Sequence, residues 1–305
     1  MAKLDAAAAR KYLDPKTLSK ASRLEMRARL VVEGYISGMH RSPYHGFSVE
    51  FAQHREYAPG DDLKHLDWRV YGRADRYYIK EYEEETNLRC HIILDTSESM
   101  NYASPGRMTK LEYGCYIAAT LTYMLLRQQD SVGLTTFDNA IKKMVPSSAS
   151  PAQLRTILYE LCQIVPEQKT DMNLIFHDLA ERVKRRGLVV LISDLFDNPE
   201  NILRGLQHFR HKRHEVLVFH VLDDAETNFP FKDMTKFLGL ESWPELIVDP
   251  PSLRRAYIEE YENFVSTMKK GCLNTRIDYA VMNTSHPLDV ALTAYLATRA
   301  STRTK

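Results

Sequence analysis

Asp95, Ser97 and Ser99 stand at alternate positions just where the apolar run CHIIL stops, in the stretch HIILDTSESM. Two further oxygen-bearing groups occupy comparable places. Asp194 ends the run LVVLISD, and Thr170, followed by Asp171, lies in QKTDMN immediately before a segment of helical periodicity. A set of hydroxyl and carboxylate oxygens without His or Cys suits a hard divalent cation, Mg²⁺ or Mn²⁺, in octahedral coordination at about 2.0–2.1 Å. Hydroxyls are neutral ligands. If Ser97, Ser99 and Thr170 bind directly while Asp95 and Asp194 hold them or bound waters, the ion stays under-neutralised. It then accepts one more anionic oxygen from outside, such as the Asp or Glu of a partner protein. The competing reading is a strand-end turn whose serines cap the next helix.

Other chemistry-bearing residues have plainer accounts. A hydrolase or phosphotransferase using Asp95 as nucleophile or metal ligand is the enzymatic alternative. Haloacid-dehalogenase-like enzymes need a second Asp two residues on, where this chain has Ser97. The sequence holds neither a G-x-S-x-G elbow nor a P-loop, so the expectation is a protein that is not an enzyme. A scaffold with an empty metal site is the third reading. His208, His211 and His214 in HFRHKRH read as a basic helix end that complements the macrodipole. RVKRRG reads the same way, with Gly187 as the helix stop. In YAPGDDLKHLDW, Pro59 and Gly60 make a turn, Asp61 or Asp62 caps a short helix and Trp68 anchors it in the core; the alternative is a partner-facing surface of Arg55, Asp61, Lys64 and Arg73. The acidic run EYEEET suits edge-strand protection. Glu98 and Asp171, beside the proposed ligands, either face solvent or tune which partner approaches.

The elements that must position these groups begin near Arg89. The apolar runs CHIIL, SVGLTTF, LVVLISD, EVLVFHVL and RIDYAVM read as strands, with IKKMV as a hairpin or edge neighbour. Between them, helical spacing runs from about Lys110 to Gln129, Pro151 to Ile164, Asn173 to Arg185, Pro199 to Arg210, Ser252 to Lys270 and 287 to 300. Apolar strands without clean alternation, separated by amphipathic helices, predict an α/β fold with a doubly wound, mainly parallel sheet covered on both faces. In such sheets ligands bind beyond the carboxyl ends of the strands, the edge where Asp95, Thr170 and Asp194 all fall. Residues 1–88 are expected to form an N-terminal helix, over about 16–36, and a small β extension. Residues 89–305 form the α/β domain, with an irregular insertion at about 223–250.

Composition sets the outer limits. The 305 residues are 44% hydrophobic and carry 41 basic against 40 acidic side chains, a formal net charge of +1. That balance argues against bulk electrostatic binding to nucleic acid or to an anionic membrane. No run reaches the roughly 18 apolar residues of a membrane helix, and the charged N-terminus has no secretory apolar core. Cys90, Cys115, Cys162 and Cys272 are too dispersed for a disulfide or zinc framework and read as reduced, buried small hydrophobes. A cytoplasmic location is the expectation.

Two stretches carry a resemblance. Asp-x-Ser-x-Ser after the first strand, with Thr170 in a mid-chain loop and Asp194 after a later strand, resembles the metal-ion-dependent adhesion site of von Willebrand factor A domains. The segment REYAPGDDLKHLDWRVYGRADRYYIKEYEEE, followed by ILDTSESM, is similar to the bacterial domain-of-unknown-function 58 family, which joins this motif to a von Willebrand A-like domain. RRAYIEEYENF and the stretch from Arg276 to Arg299 resemble that family's C-terminal portion. The resemblance implies direct ligation by Ser97, Ser99 and Thr170, and carboxylates Asp95 and Asp194 that act largely through water. It also implies an adaptor or chaperone-like role beside a MoxR-type AAA+ ATPase. Two positions depart from the pattern: Lys64 stands where arginine is usual, and Lys169 where glycine often precedes the threonine.

Overall fold

The computed structural model describes residues 49–58, 67–74, 77–84, 88–165, 172–237 and 246–288. The expected helices at 16–36 and 287–300, Asp61, Lys64, Thr170 and Asp171 fall largely or wholly outside them, as do the side chains of Arg55 and Arg73. Described residues 49–84 belong to one compact unit and 88–288 to another.

In the first unit, strand β1 (Val49–Glu56) pairs antiparallel with β2 (Tyr78–Glu84). Helix α1 (Trp68–Ala74) lies between them in sequence. Asp67, buried, starts the helix by accepting from the Val70 amide at 3.3 Å. Trp68 is not the core anchor that its size suggested: it is 65% exposed and meets Tyr71 edge-on. The close aromatic contact is instead Tyr71 stacked on Tyr77, with ring centroids 4.5 Å apart.

The second unit is built on a six-stranded sheet in the order β10-β7-β6-β3-β4-β5. Its strands are β3 (Arg89–Asp95), β4 (Ser131–Phe137), β5 (Ile141–Ser148), β6 (Leu188–Ser193), β7 (Glu215–Leu222) and β10 (Asp278–Asn283). Every neighbouring pair is parallel except β4 with β5, so the expected doubly wound, mainly parallel sheet is present and IKKMV belongs to its antiparallel edge. Helices α2 (Lys110–Arg127) and α3 (Gln153–Cys162) cover one face. Helices α4 (Met172–Arg182), α5 (Pro199–His211) and α7 (Pro250–Asn274) cover the other.

The strands show why alternation was absent from the sequence. In β6, Leu188, Val190 and Ile192 enter the first core while Val189 and Leu191 enter the second. β7 divides in the same way, Leu217, Phe219 and Val221 against Val216 and Val218. Period two persists, but both faces are apolar and the pattern is masked. Each such side chain contributes about 1.5–3 kcal/mol on full burial.

Two local expectations change. The segment 223–250 is not wholly irregular: it contains helix α6 (Asp224–Asn228) and an antiparallel pair, β8 (Thr235–Phe237) with β9 (Leu246–Val248). Gly187 does not stop a helix, because α4 already ends at Arg182. Its role is close approach, since a Cβ there would lie 2.2 Å from the Arg89 carbonyl oxygen. The basic helix end expected of HFRHKRH is present for His208 and His211, which with Arg210 form the last turn of α5, while His214 lies beyond the helix. His214, buried, has its Nε2 on the Val183 carbonyl oxygen at the amino-terminal edge of the sheet, away from Asp95. Cys90, Cys115 and Cys272 are buried and Cys162 is half-buried, all four as free thiols. Among the described residues no helix is long and apolar enough to cross a membrane.

Candidate functional site

The carboxyl ends of β3 and β6 are neighbours, with Leu94 opposite Ile192 in register, so the residues that follow each strand must meet. Asp95 is fully buried and both of its oxygens are engaged. Oδ1 accepts from the Ser97 amide at 2.9 Å, and Oδ2 accepts from the Ser193 hydroxyl at 2.6 Å. The turn is pinned from the other side by Thr96, whose amide and hydroxyl both donate to the Phe137 carbonyl at the end of β4.

Beyond that turn the chain enters a 3₁₀ turn, Glu98–Asn101, with Ser97 in the capping position. The capping alternative is not realised by the side chain, for the Ser97 hydroxyl makes no cap hydrogen bond. It lies 3.1 Å from the Ser99 hydroxyl instead, and both serines are buried. Glu98, between them, is exposed.

Asp194 is buried at the end of β6. Its Oδ2 accepts from the Lys110 ammonium at 2.8 Å, while its buried Oδ1 has no hydrogen-bond partner. Lys110 also donates to Glu226 Oε1 at 2.6 Å. Burial opposes the charged form of Lys110, but Asp194 and Glu226 outweigh it and raise the pKa, so the ammonium is retained. The Asp95 carboxyl moves upward too, through burial and then through the nearby Asp194 charge, against the hydrogen bonds from Ser193 and Ser97.

A second ring of residues fixes this arrangement. Leu195 takes a left-handed conformation (φ 54°) just after Asp194. His220 in β7 holds the same turn: its Nε2 donates to the Asp194 carbonyl at 2.9 Å, which leaves Nδ1 to accept from the Tyr279 hydroxyl at 2.5 Å. Burial lowers His220 to about 4, consistent with that neutral tautomer. Glu226 is fixed by a capping box with Asp223 at the start of α6. Asp223 also accepts from the Ser104 amide at 3.1 Å, from the Ser104 hydroxyl and from Thr284 at 3.2 Å, tying the loop before α2 to β7 and β10.

Of the five residues read from the sequence, Asp95, Ser97, Ser99 and Asp194 therefore gather at the adjoining ends of β3 and β6, and Thr170 lies outside the described residues. Among the described residues no cluster of three or more His, Cys, Asp or Glu has a ligating arrangement. The hydroxyl-rich donor set is of a different kind, and its buried oxygens suit a hard cation: Ser97 and Ser99 hydroxyls with Asp194 Oδ1. Lys110, Glu226 and His220 were missed by the sequence reading, yet each left a signal. A lysine at the first position of a helix opposes the macrodipole, D-x-x-E spells a capping box, and His220 interrupts an apolar strand.

Comparison with known proteins gives likenesses at three levels. The chain is 26% identical over 220 residues to an uncharacterized protein, Rv1480, of Mycobacterium tuberculosis, covering 71% of this chain and 68% of that one. The uncharacterized protein Mb1516 of Mycobacterium bovis matches to the same extent. Among solved structures, the conserved hypothetical protein BatB from Bacteroides thetaiotaomicron aligns with a TM-score of 0.45 at 15% identity, over 70% of this chain and 99% of that one. An aerotolerance-related membrane protein from Bacteroides fragilis aligns with a TM-score of 0.44 at 17% identity, over 69% and 99%. The model for the protein family of unknown function DUF58 matches residues 53–265, and the chain belongs to that family.

Proposed function

We propose that this protein is a non-enzymatic interaction module in which Ser97, Ser99 and Thr170, with Asp95 and Asp194, hold Mg²⁺ or Mn²⁺, and an acidic residue of a protein partner completes the coordination. The observation that carries the reading is the turn after β3. Two buried serine hydroxyls face each other at 3.1 Å, and Ser97 is not spent on capping the turn that follows. An unpartnered buried oxygen of Asp194 stands at the end of the adjoining strand. Lys110 supports the role of Asp194 by engaging one oxygen and leaving the other.

The hydrolase alternative asks Asp95 to attack or to be reached by substrate. Its carboxylate is fully buried and is held by Ser97 and Ser193 on its two oxygens, which suits an organising residue better than a nucleophile. The scaffold alternative predicts no response to cations at all.

The resemblance to the DUF58 family suggests the partner: a MoxR-type AAA+ ATPase, in the cytoplasm, with this chain as adaptor. Immobilised wild-type protein is expected to retain the purified ATPase in Mg²⁺ and to lose at least about tenfold in retention, roughly 1.4 kcal/mol, in chelator. Asp95→Ala and Ser97→Ala are expected to behave as the chelated wild type does. Equal retention in all four conditions would exclude a metal bridge.

A further inference from the structure

On the β7 side of Asp194 a cavity of about 480 Å³ opens between the ends of β6 and β7 and helix α7. Its volume lies in the range of pockets that hold small ligands or inserted side chains. The floor is Lys110 with its two carboxylates, Asp194 and Glu226. The walls are Phe196, Tyr257, Tyr261 and Phe264, and Asp197 and Glu260 also line it.

Charge and surface together select the occupant. Four acidic residues, Asp194, Asp197, Glu226 and Glu260, line the cavity with one lysine, and Lys110 is already engaged by two of them. Glu226 is felt at the tyrosines: burial and then Glu226 raise Tyr257 to about 12 and push Tyr261 upward. A cation whose stem is apolar and whose head is planar fits such walls, because guanidinium stacks on aromatic faces and pairs with carboxylates at its edge. A compact ammonium uses the carboxylates but not the rings as well. Phe196 is 61% exposed and would lie against the segment that carries the inserted side chain.

We propose that this cavity binds an arginine side chain presented by a protein partner, independently of any cation at the serine site. The probe is the capped tripeptide acetyl-Leu-Arg-Leu-amide, titrated into the full chain in chelator and followed by calorimetry, with the citrulline peptide as neutral isostere and spermidine as a free polyamine. Saturable binding of the arginine peptide is expected, weakened about tenfold or more by citrulline and by the double variant Asp197→Asn, Glu260→Gln. Tyr261→Ala is expected to weaken it by about fivefold through lost stacking. No saturation up to about 5 mM, or equal binding of the citrulline peptide, would overturn the proposal. Spermidine binding as tightly as the arginine peptide would also overturn it, since the site would then be one for free polyamines. The Asp197→Asn, Glu260→Gln protein should still titrate Mn²⁺ as wild type does. The arginine site and the cation site thus stand or fall separately.

Discussion

Lys110 concentrates the electrostatics of the site in one residue. It is 2% exposed, and its ammonium is stabilised by Asp194 and Glu226 at 2.8 and 2.6 Å. Removing one partner from a buried charge network leaves the others uncompensated, so Lys110→Met is expected to lower unfolding free energy by about 3 kcal/mol in urea titration. An unchanged midpoint would mean that the three groups are better solvated than their geometry indicates. Two of the buried histidines, His91 and His220, weaken the fold in acid. Burial lowers His91 to about 4, helped by His214, and lowers His220 to about 4 as well. Both are protonated near 6.5 in the unfolded chain, so the unfolded state binds more protons between the two values. The stability they represent is full above pH 6.5 and is lost as pH falls toward 4, by about 3 kcal/mol for each. His91→Gln keeps a partner for Thr135, bonded to His91 at 2.7 Å, and should remove the His91 share of that loss, about 3 kcal/mol between pH 6.5 and 4. A slope unaltered by the substitution would contradict the assignment.

At the scale of elements, the six strands of the main sheet and the long helices between them were legible because apolar runs and helical spacing leave few other solutions. Lys110–Arg127, for example, begins where Thr109 caps it and accepts from the Glu112 amide, a pattern written in the sequence. The segment 223–250 was illegible for the opposite reason. Its helix spans five residues and its strands three, too short for a period to emerge. Trp68 and Gly187 misled through single-residue rules: bulk does not fix burial at the first position of a helix, and glycine also serves strand contact. Gly187→Ala places a Cβ against the Arg89 carbonyl at the amino-terminal edge of β6, opposite the serine site. It is expected to destabilise the fold by about 2 kcal/mol while leaving cation affinity within about twofold. A large loss of affinity at full stability would show that the two ends of the sheet are coupled.

For the whole molecule, the topology brings separate sequence motifs to one edge of the sheet. β3 and β6 are far apart in the chain and adjacent in the sheet, so Asp95 receives its hydrogen bond from Ser193, 98 residues away. That convergence was legible from strand order logic, since ligand-bearing loops gather at carboxyl ends. The chemistry of Lys110, Glu226 and His220 was not, because their meaning depends on which neighbours the fold supplies. The central claim is that the serine turn after β3 and the unpartnered oxygen of Asp194 belong to one cation site. Calorimetric titration of Mn²⁺ and Mg²⁺ into the chelated protein tests it most directly, with the Ser97→Ala, Ser99→Ala double variant as reference. The account predicts one saturable site in the wild type and at least about a hundredfold weaker binding, roughly 2.7 kcal/mol, in the variant. Equal binding by both proteins, or no heat from either, would contradict it.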